Sequence, residues 1–334
     1  MGGTLINSLV VVLVLFFILR SINYEVEGRQ HISKEEDIEL DRQLKILNKP
    51  PIKTLHTEFR DVIDCIDIYK QPAFDHPSMK NHKIKGAILK LENGYQKFYG
   101  ANADISTYQP TVYEDEYSTA HIWVVGNGKN EPLNNIQVGL AVHPTLSGDH
   151  RLRMFLYWTA DGSYKTGCYN FHCPGYVQIH QYFGPGCVPG NISTYGGRTF
   201  INRFFVYQDR KQKVWWLVFT GNRHVGYWPN SIFTGSLSKG FANGLYWGGT
   251  TKAGSHAGIN PAMGSGHYPN GVSGHSGYFH YAQYVNGFNQ IIDLNDTKLD
   301  VFVDCEWYKI TNDGYTEHGN TIHYGGPGGR CPTY

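Results

Sequence analysis

Ile136-Gln137-Val138-Gly139-Leu140-Ala141-Val142-His143 decides the fold class. Ile136, Val138, Leu140 and Val142 alternate with Gln137, Gly139, Ala141 and His143. Strand side chains point to opposite faces in turn, so one face is greasy and core-like and the other small and polar. Working outward, the same short, aromatic, β-branched character recurs at His121–Val125, Arg153–Trp158, Trp215–Phe219 and Leu299–Val303. Asn127-Gly128, Asp161-Gly162, Gly196-Gly197 and Asn243-Gly244 punctuate these runs as turn signals. Many short strands so spaced predict an all-β antiparallel sandwich of two sheets rather than βαβ units.

Bulk composition agrees. The chain has 334 residues, 14% aromatic and 17% charged, with 39 Gly and 24 Tyr. That is enough for a large core, too apolar for intrinsic disorder, and suited to strands joined by tight turns. Net charge is +1 with no basic stripe, which argues against a nucleic-acid partner.

The N-terminal region differs. Leu9–Leu19 is an unbroken apolar run ended by Arg20, shorter than the roughly 20 residues a spanning helix needs. It is expected to be a signal-peptide core, with residues 1–27 removed, no stable membrane insertion afterwards, and secretion to the extracellular space or cell wall. Secretion gives meaning to the glycosylation triplets at Asn191 and Asn295. It also makes Cys65, Cys168, Cys173, Cys187, Cys305 and Cys331 disulfide candidates. Ser33-Lys34-Glu35-Glu36 is a capping box ahead of Ile38, Leu40, Leu44, Ile46 and Leu47, and Pro50-Pro51 stops the pattern, so a short helical pro-segment is predicted before the main domain. Gly254–Tyr284 has a loop-like composition and holds His256, His267, His275 and His280. The spacing fits no metal motif, so neither metal nor cofactor is expected; a Gly-rich loop flanking a groove is.

Longer motifs carry a family resemblance. Asp64-Cys65-Ile66-Asp67-Ile68-Tyr69-Lys70-Gln71-Pro72-Ala73-Phe74-Asp75-His76-Pro77 closely resembles the activation peptide of plant neprosins. Tyr157-Trp158-Thr159-Ala160-Asp161-Gly162, Cys173-Pro174-Gly175-Tyr176-Val177-Gln178, Gly226-Tyr227-Trp228-Pro229, Met263-Gly264-Ser265-Gly266-His267 and Tyr324-Gly325-Gly326-Pro327-Gly328 continue the likeness in order. The resemblance implies a zymogen, with an activation peptide over 28–85 and a β-sandwich domain over 86–334. Neprosins are glutamic peptidases that cleave after proline and prefer acid. Two carboxylates across a cleft do this work, their repulsion keeping one protonated.

Both carboxylate positions are substituted here. The family's Asn-x-Ile-Glu-x-Gly-Trp reads Asn134-Asn135-Ile136-Gln137-Val138-Gly139-Leu140, and its Trp-Gly-Gly-Glu reads Trp247-Gly248-Gly249-Thr250. A carboxamide at Gln137 can still donate to an oxyanion. Thr250 has no adjacent base, and its hydroxyl is too weak to take a proton from water. The expectation is a catalytically impaired peptidase whose cleft, rimmed by Trp158, Tyr227, Trp228 and Trp247, still holds a peptide or protein, a Pro-rich one by shape. The alternative is an active acid prolyl endopeptidase using a replacement carboxylate from Glu114, Asp115, Glu116 or Asp149. A carbohydrate-binding wall lectin, suggested by surface aromatics alone, is the third class. By the same resemblance, Cys168 bridges Cys173 and Cys305 bridges Cys331, while Cys187 either joins Cys65 or stays a thiol. The junction between Lys85 and Gln96 is shorter than the family's, which predicts a lost first strand and an unpaired sheet edge.

Overall fold

The computed structural model describes residues 53–56, 62–65, 84–92, 96–128, 131–163, 165–254, 258–294 and 299–331. The leader and the expected helix of the pro-segment lie outside these. In chain order the strands are β1 (Lys53–His56), β2 (Val62–Cys65), β3 (Ile84–Glu92), β4 (Gly100–Ser106), β5 (Tyr117–Gly128), β6 (Glu131–Val142), β7 (Arg153–Thr159), β8 (Cys168–Tyr169) and β9 (Val177–Gln178). They continue as β10 (Ile201–Asp209), β11 (Val214–Phe219), β12 (Arg223–Pro229), β13 (Gly244–Lys252), β14 (Gly277–Val285), β15 (Ile291–Asp293), β16 (Asp300–Val303), β17 (Lys309–Thr316) and β18 (Gly319–Gly325).

Among the described residues, β16-β3-β13-β5-β6-β7-β8 form a seven-stranded sheet. A nine-stranded sheet runs β17-β18-β14-β4-β10-β11-β12-β9, with β15 beside β14. Every pairing is antiparallel, and β1 and β2 make a separate hairpin. Alternation explains why these strands form two packed layers. Ile136, Val138, Leu140 and Val142 are all fully buried on one face of β6. They meet Ala101, Ala103, Ile105, Phe204, Val206 and Phe279 of the other sheet in one core. Trp247 ties the layers, its Nε1 donating to the Asn102 carbonyl at 3.3 Å.

Two sequence expectations change here. The shortened junction does not cost the sheet a strand. Residues 84–92 themselves pair with β13 on one side and β16 on the other. The strand takes in Ile84 and Lys85. Lys85 is buried and reaches Asp304 at 3.9 Å. The Gly254–Tyr284 stretch is also not all loop: Gly277–Val285 is β14, central in its sheet.

Cys168–Cys173 and Cys305–Cys331 are disulfides. Cys187 takes no part in either; it is buried, with Sγ 4.0 Å from Met154 Sδ. The Cys65 side chain, and with it the Cys65–Cys187 alternative, lies outside the described residues.

Candidate peptide face of the seven-stranded sheet

The outward face of this sheet is built by the residues that alternate with the core. Trp123, Gln137 and Tyr157 form one cross-strand row, and His121, Gly139 and Phe155 form the next. Gly139 is required by close approach: a Cβ there would lie 2.1 Å from the Ala120 carbonyl oxygen and 2.5 Å from His121 Cβ. His121 therefore lies over the glycine. Its ring centroid is 3.5 Å from that of Trp123 and 5.1 Å from that of Phe155. Burial drives its pKa well below the ordinary imidazole value, offset in part by Gln137. Neither ring nitrogen has a partner of hydrogen-bond geometry.

Gln137 is half-buried and its Nε2 donates to Asn135 Oδ1 at 3.2 Å. Thr250 lies on the same outward face but is not beside it. The row of Gln137 and Trp123 meets β13 at Tyr246, four residues before Thr250. Strand β5 stands between, so two strand spacings, about 10 Å, also separate the pair. The Thr250 hydroxyl is 2.8 Å from that of Thr119, and its amide donates to Thr119 Oγ1 at 3.0 Å.

Aromatic side chains cluster on the same face. Tyr117 is buried and stacks on His143 at 4.8 Å, with Tyr169 and Thr250 as polar neighbours. Tyr169 approaches His143 at 5.6 Å and Tyr157 at 5.0 Å, while Tyr157 contacts the Ser163 hydroxyl at 2.5 Å. Burial, then neighbouring phenols, keep Tyr117 and Tyr169 protonated far above the usual range. Burial, reinforced by Lys252, lowers the His143 pKa to about 4. At neutral pH this patch is a set of uncharged phenols and imidazoles: good at hydrogen bonding and ring contact, poor at removing a proton from water.

The acids weighed from sequence are engaged elsewhere. Asp149 binds Arg151 and Arg153, with Nε–O distances of 2.6 and 2.9 Å. Glu116 is buried and accepts the Tyr113 amide at 2.9 Å. Glu114 lies 3.5 Å from His150, and Asp115 packs where a Gly254 Cβ would stand. Sequence reasoning missed two further acids. Glu92 is exposed and accepts from the Tyr246 hydroxyl, but β3 is three strands from β6, about 14 Å. Asp161 accepts the Lys165 and Thr166 amides and the Thr166 hydroxyl, which commits it to closing its own loop. The Trp158-Thr159-Ala160-Asp161-Gly162 run could have flagged it.

The aromatic rim read from sequence is corrected by burial. Trp158, Trp228 and Trp247 are core residues at 6%, 0% and 0% exposure. Trp158 packs edge-on against Phe233, and Trp228 lies 4.7 Å from Tyr176. Tyr227 is half-buried on β12, in the other sheet. Parity explains the error: Trp158 shares its face with Met154 and Leu156, so Tyr157, not Trp158, faces outward beside Gln137.

Asn191 is exposed, and Asn295 lies outside the described residues, as does His256. His267 stacks on Tyr195 at 3.8 Å, His275 lies 4.7 Å from Tyr195, and His280 stacks on His318 at 4.5 Å. Among the described residues no three His, Cys, Asp or Glu side chains converge as a metal set, and no helix is long and apolar enough to cross a membrane.

Solved structures similar to this chain include scytalido-glutamic peptidase with a peptide-based transition-state analogue: 12% identity, 73% of this chain and 98% of that one, TM-score 0.36. SCP-B, of the eqolisin family of peptidases, bound to the tripeptide Ala-Ile-His, gives 11%, 73%, 98% and 0.37. The neprosin activation peptide matches residues 54–139 and the neprosin domain residues 114–327. The chain belongs to the neprosin family.

Proposed function

We propose that this protein is a secreted neprosin-family member that engages peptide on the outward face of its seven-stranded sheet and has lost the post-proline cleavage its family implies. One observation carries the reading. At the two positions matching the family's glutamates stand a carboxamide that hydrogen-bonds Asn135 and a hydroxyl that hydrogen-bonds Thr119. Neither can act as general base, and losing that function slows hydrolysis by about 10²–10⁴. Gln137 keeps the donor an oxyanion would need. Tyr157 and Tyr169 beside it offer ring faces for the preformed, extended shape of a Pro-rich peptide. The leader at Leu9–Leu19 and the two disulfides support an oxidising, extracellular destination.

Incubating the purified full chain with a Pro-rich peptide from pH 3 to 8 and following products by mass spectrometry tests this. Binding without cleavage is expected at every pH. Cleavage by the unmodified chain that Gln137→Ala abolishes would refute the proposal in favour of a replacement acid. Gln137→Glu combined with Thr250→Glu is expected to gain post-proline cleavage at acid pH.

A further inference from the structure

The outward face of the nine-stranded sheet carries a groove bordered by aromatic rings. On β10, Arg203, Phe205 and Tyr207 alternate with buried Asn202, Phe204 and Val206. A groove of about 520 Å³ crosses β14, β4, β10 and β11 here, a size within the small-ligand range. Asp104, 4% exposed, lies in it and receives Arg203 through both carboxylate oxygens, at 2.6 Å from Nε and 2.9 Å from Nη2. Asn102, 5% exposed, donates to Gln283 Oε1 at 2.8 Å, while its own Oδ1 is buried with no protein partner.

The groove continues into a strip of half-buried rings. Phe205 stacks with Tyr207 at 5.2 Å, and Tyr207 faces Trp216 across the β10–β11 pair. Trp216 lies 5.0 Å from Tyr227 and 5.1 Å from His224, and the Tyr207 hydroxyl is 2.9 Å from His224 Nε2. Four half-buried rings thus line three neighbouring strands, Phe205 and Tyr207 stacked and Trp216 edge-on to Tyr227.

Charge decides what such a surface takes. The guanidinium is neutralised edge-on by Asp104, so an anion finds a carboxylate beside the one cation that lines the groove among the described residues, and a cation finds the reverse. Planar amides and a saturated ion pair suit a ligand whose hydroxyls both donate and accept. The flat rings suit that same ligand's C–H faces. We propose that this face binds a neutral polysaccharide chain, its sugar rings lying on Phe205, Tyr207, Trp216 and Tyr227 and its hydroxyls entering the groove of Asp104, Arg203 and Asn102. The site is on the opposite sheet from Gln137 and does not depend on the peptide reading.

Affinity electrophoresis of the full chain in native gels containing a soluble β-glucan, a galactomannan or polygalacturonate tests it. Retardation is expected in a neutral gel and not in polygalacturonate. Trp216→Ala should weaken it about tenfold, the loss expected of a stacking contact, and Gln137→Ala should leave it unchanged. Circular dichroism checks that Trp216→Ala is folded, and Tyr227→Ala asks the same question from the end of the strip. No retardation by either neutral polymer, retardation by polygalacturonate alone, or retardation that survives both ring substitutions would overturn the proposal.

Discussion

A thermal-unfolding series from pH 7 to pH 4 at fixed ionic strength probes the histidines that the fold holds neutral. His143, against Tyr117, Tyr169 and Lys252, has its pKa lowered by burial to about 4. His280, stacked between Tyr278 and His318, is lowered to about 4 as well, by burial and then by His318 and His323. The unfolded chain takes up these protons near 6.5, the folded chain only near 4. Stability is therefore full above about pH 6.5 and falls as pH drops from there towards 4. The drop from 6.5 corresponds to about 3.4 kcal/mol per group at full effect. Screening of two half-buried rings roughly halves that, leaving about 3 kcal/mol for the pair. In a domain of this size that lowers Tm by about 6–12 °C. His121 acts in the same direction. Asp149, held ionised by Arg153, stays charged through this window and does not contribute. Scanning calorimetry of the wild type and of His143→Gln with His280→Gln gives the answer. The double variant should flatten the curve. A Tm that is constant or rises on acidification, or a fall of equal size in the double variant, refutes the reasoning.

Two further outcomes follow from packing and covalent structure. Gly139→Ala pushes a methyl to 2.1 Å from the Ala120 carbonyl, so β5 and β6 must part locally; urea denaturation should show a loss of about 1–3 kcal/mol, whereas a neutral result would mean that His121 does not lie over this residue. Replacing Cys305 and Cys331 by Ser opens a 26-residue separation; loop entropy sets the loss at about 3.5 kcal/mol, read as a lowered urea midpoint, and a loss below about 1 kcal/mol would show that the ends are held by other contacts.

Much of the layer architecture was legible because alternation is a local property. Ile136–Val142 and Trp215–Phe219 each fall inside a strand of the structure, and their apolar parity predicts the inward face without knowledge of partners. What sequence could not supply was the row. Pairing register places Tyr157 beside Gln137 and Tyr246, not Thr250, in its line. No single strand carries that information. The tryptophans are deceptive because bulk by itself suggests a binding rim. Trp247 follows the parity of Leu245, and Trp158 that of Leu156, so alternation already pointed both inward. β14 was hidden differently: its Tyr278-Phe279-His280-Tyr281 core follows a Gly-, Ser- and His-rich run whose composition dominated the reading, and Tyr281 itself adopts φ of 48° at an irregularity in the pairing with β4.

The seven-stranded face also bears, separately from the substituted glutamate positions, on the proposed loss of acid cleavage. A carboxylate pair works at low pH because protonation makes it less charged, and a single shared proton relieves the repulsion between the two acids. Here the groups around Gln137 and Thr250 respond in the opposite sense. His121 and His143, the latter beside Lys252, are neutral when the pH is high and become cations when it falls. His121 is 1% exposed with unpartnered nitrogens, so a proton on it would be a buried charge without a counter-ion. Acidification that would ready a glutamic dyad would instead strain this face open. Installing glutamates at 137 and 250 supplies the base, and the carboxylate at 137, beside His121, also supplies the missing counter-ion. The double variant should therefore tolerate acid better than either the wild type or Thr250→Glu alone. Equal acid lability in all three would mean that His121 is not electrostatically coupled to position 137.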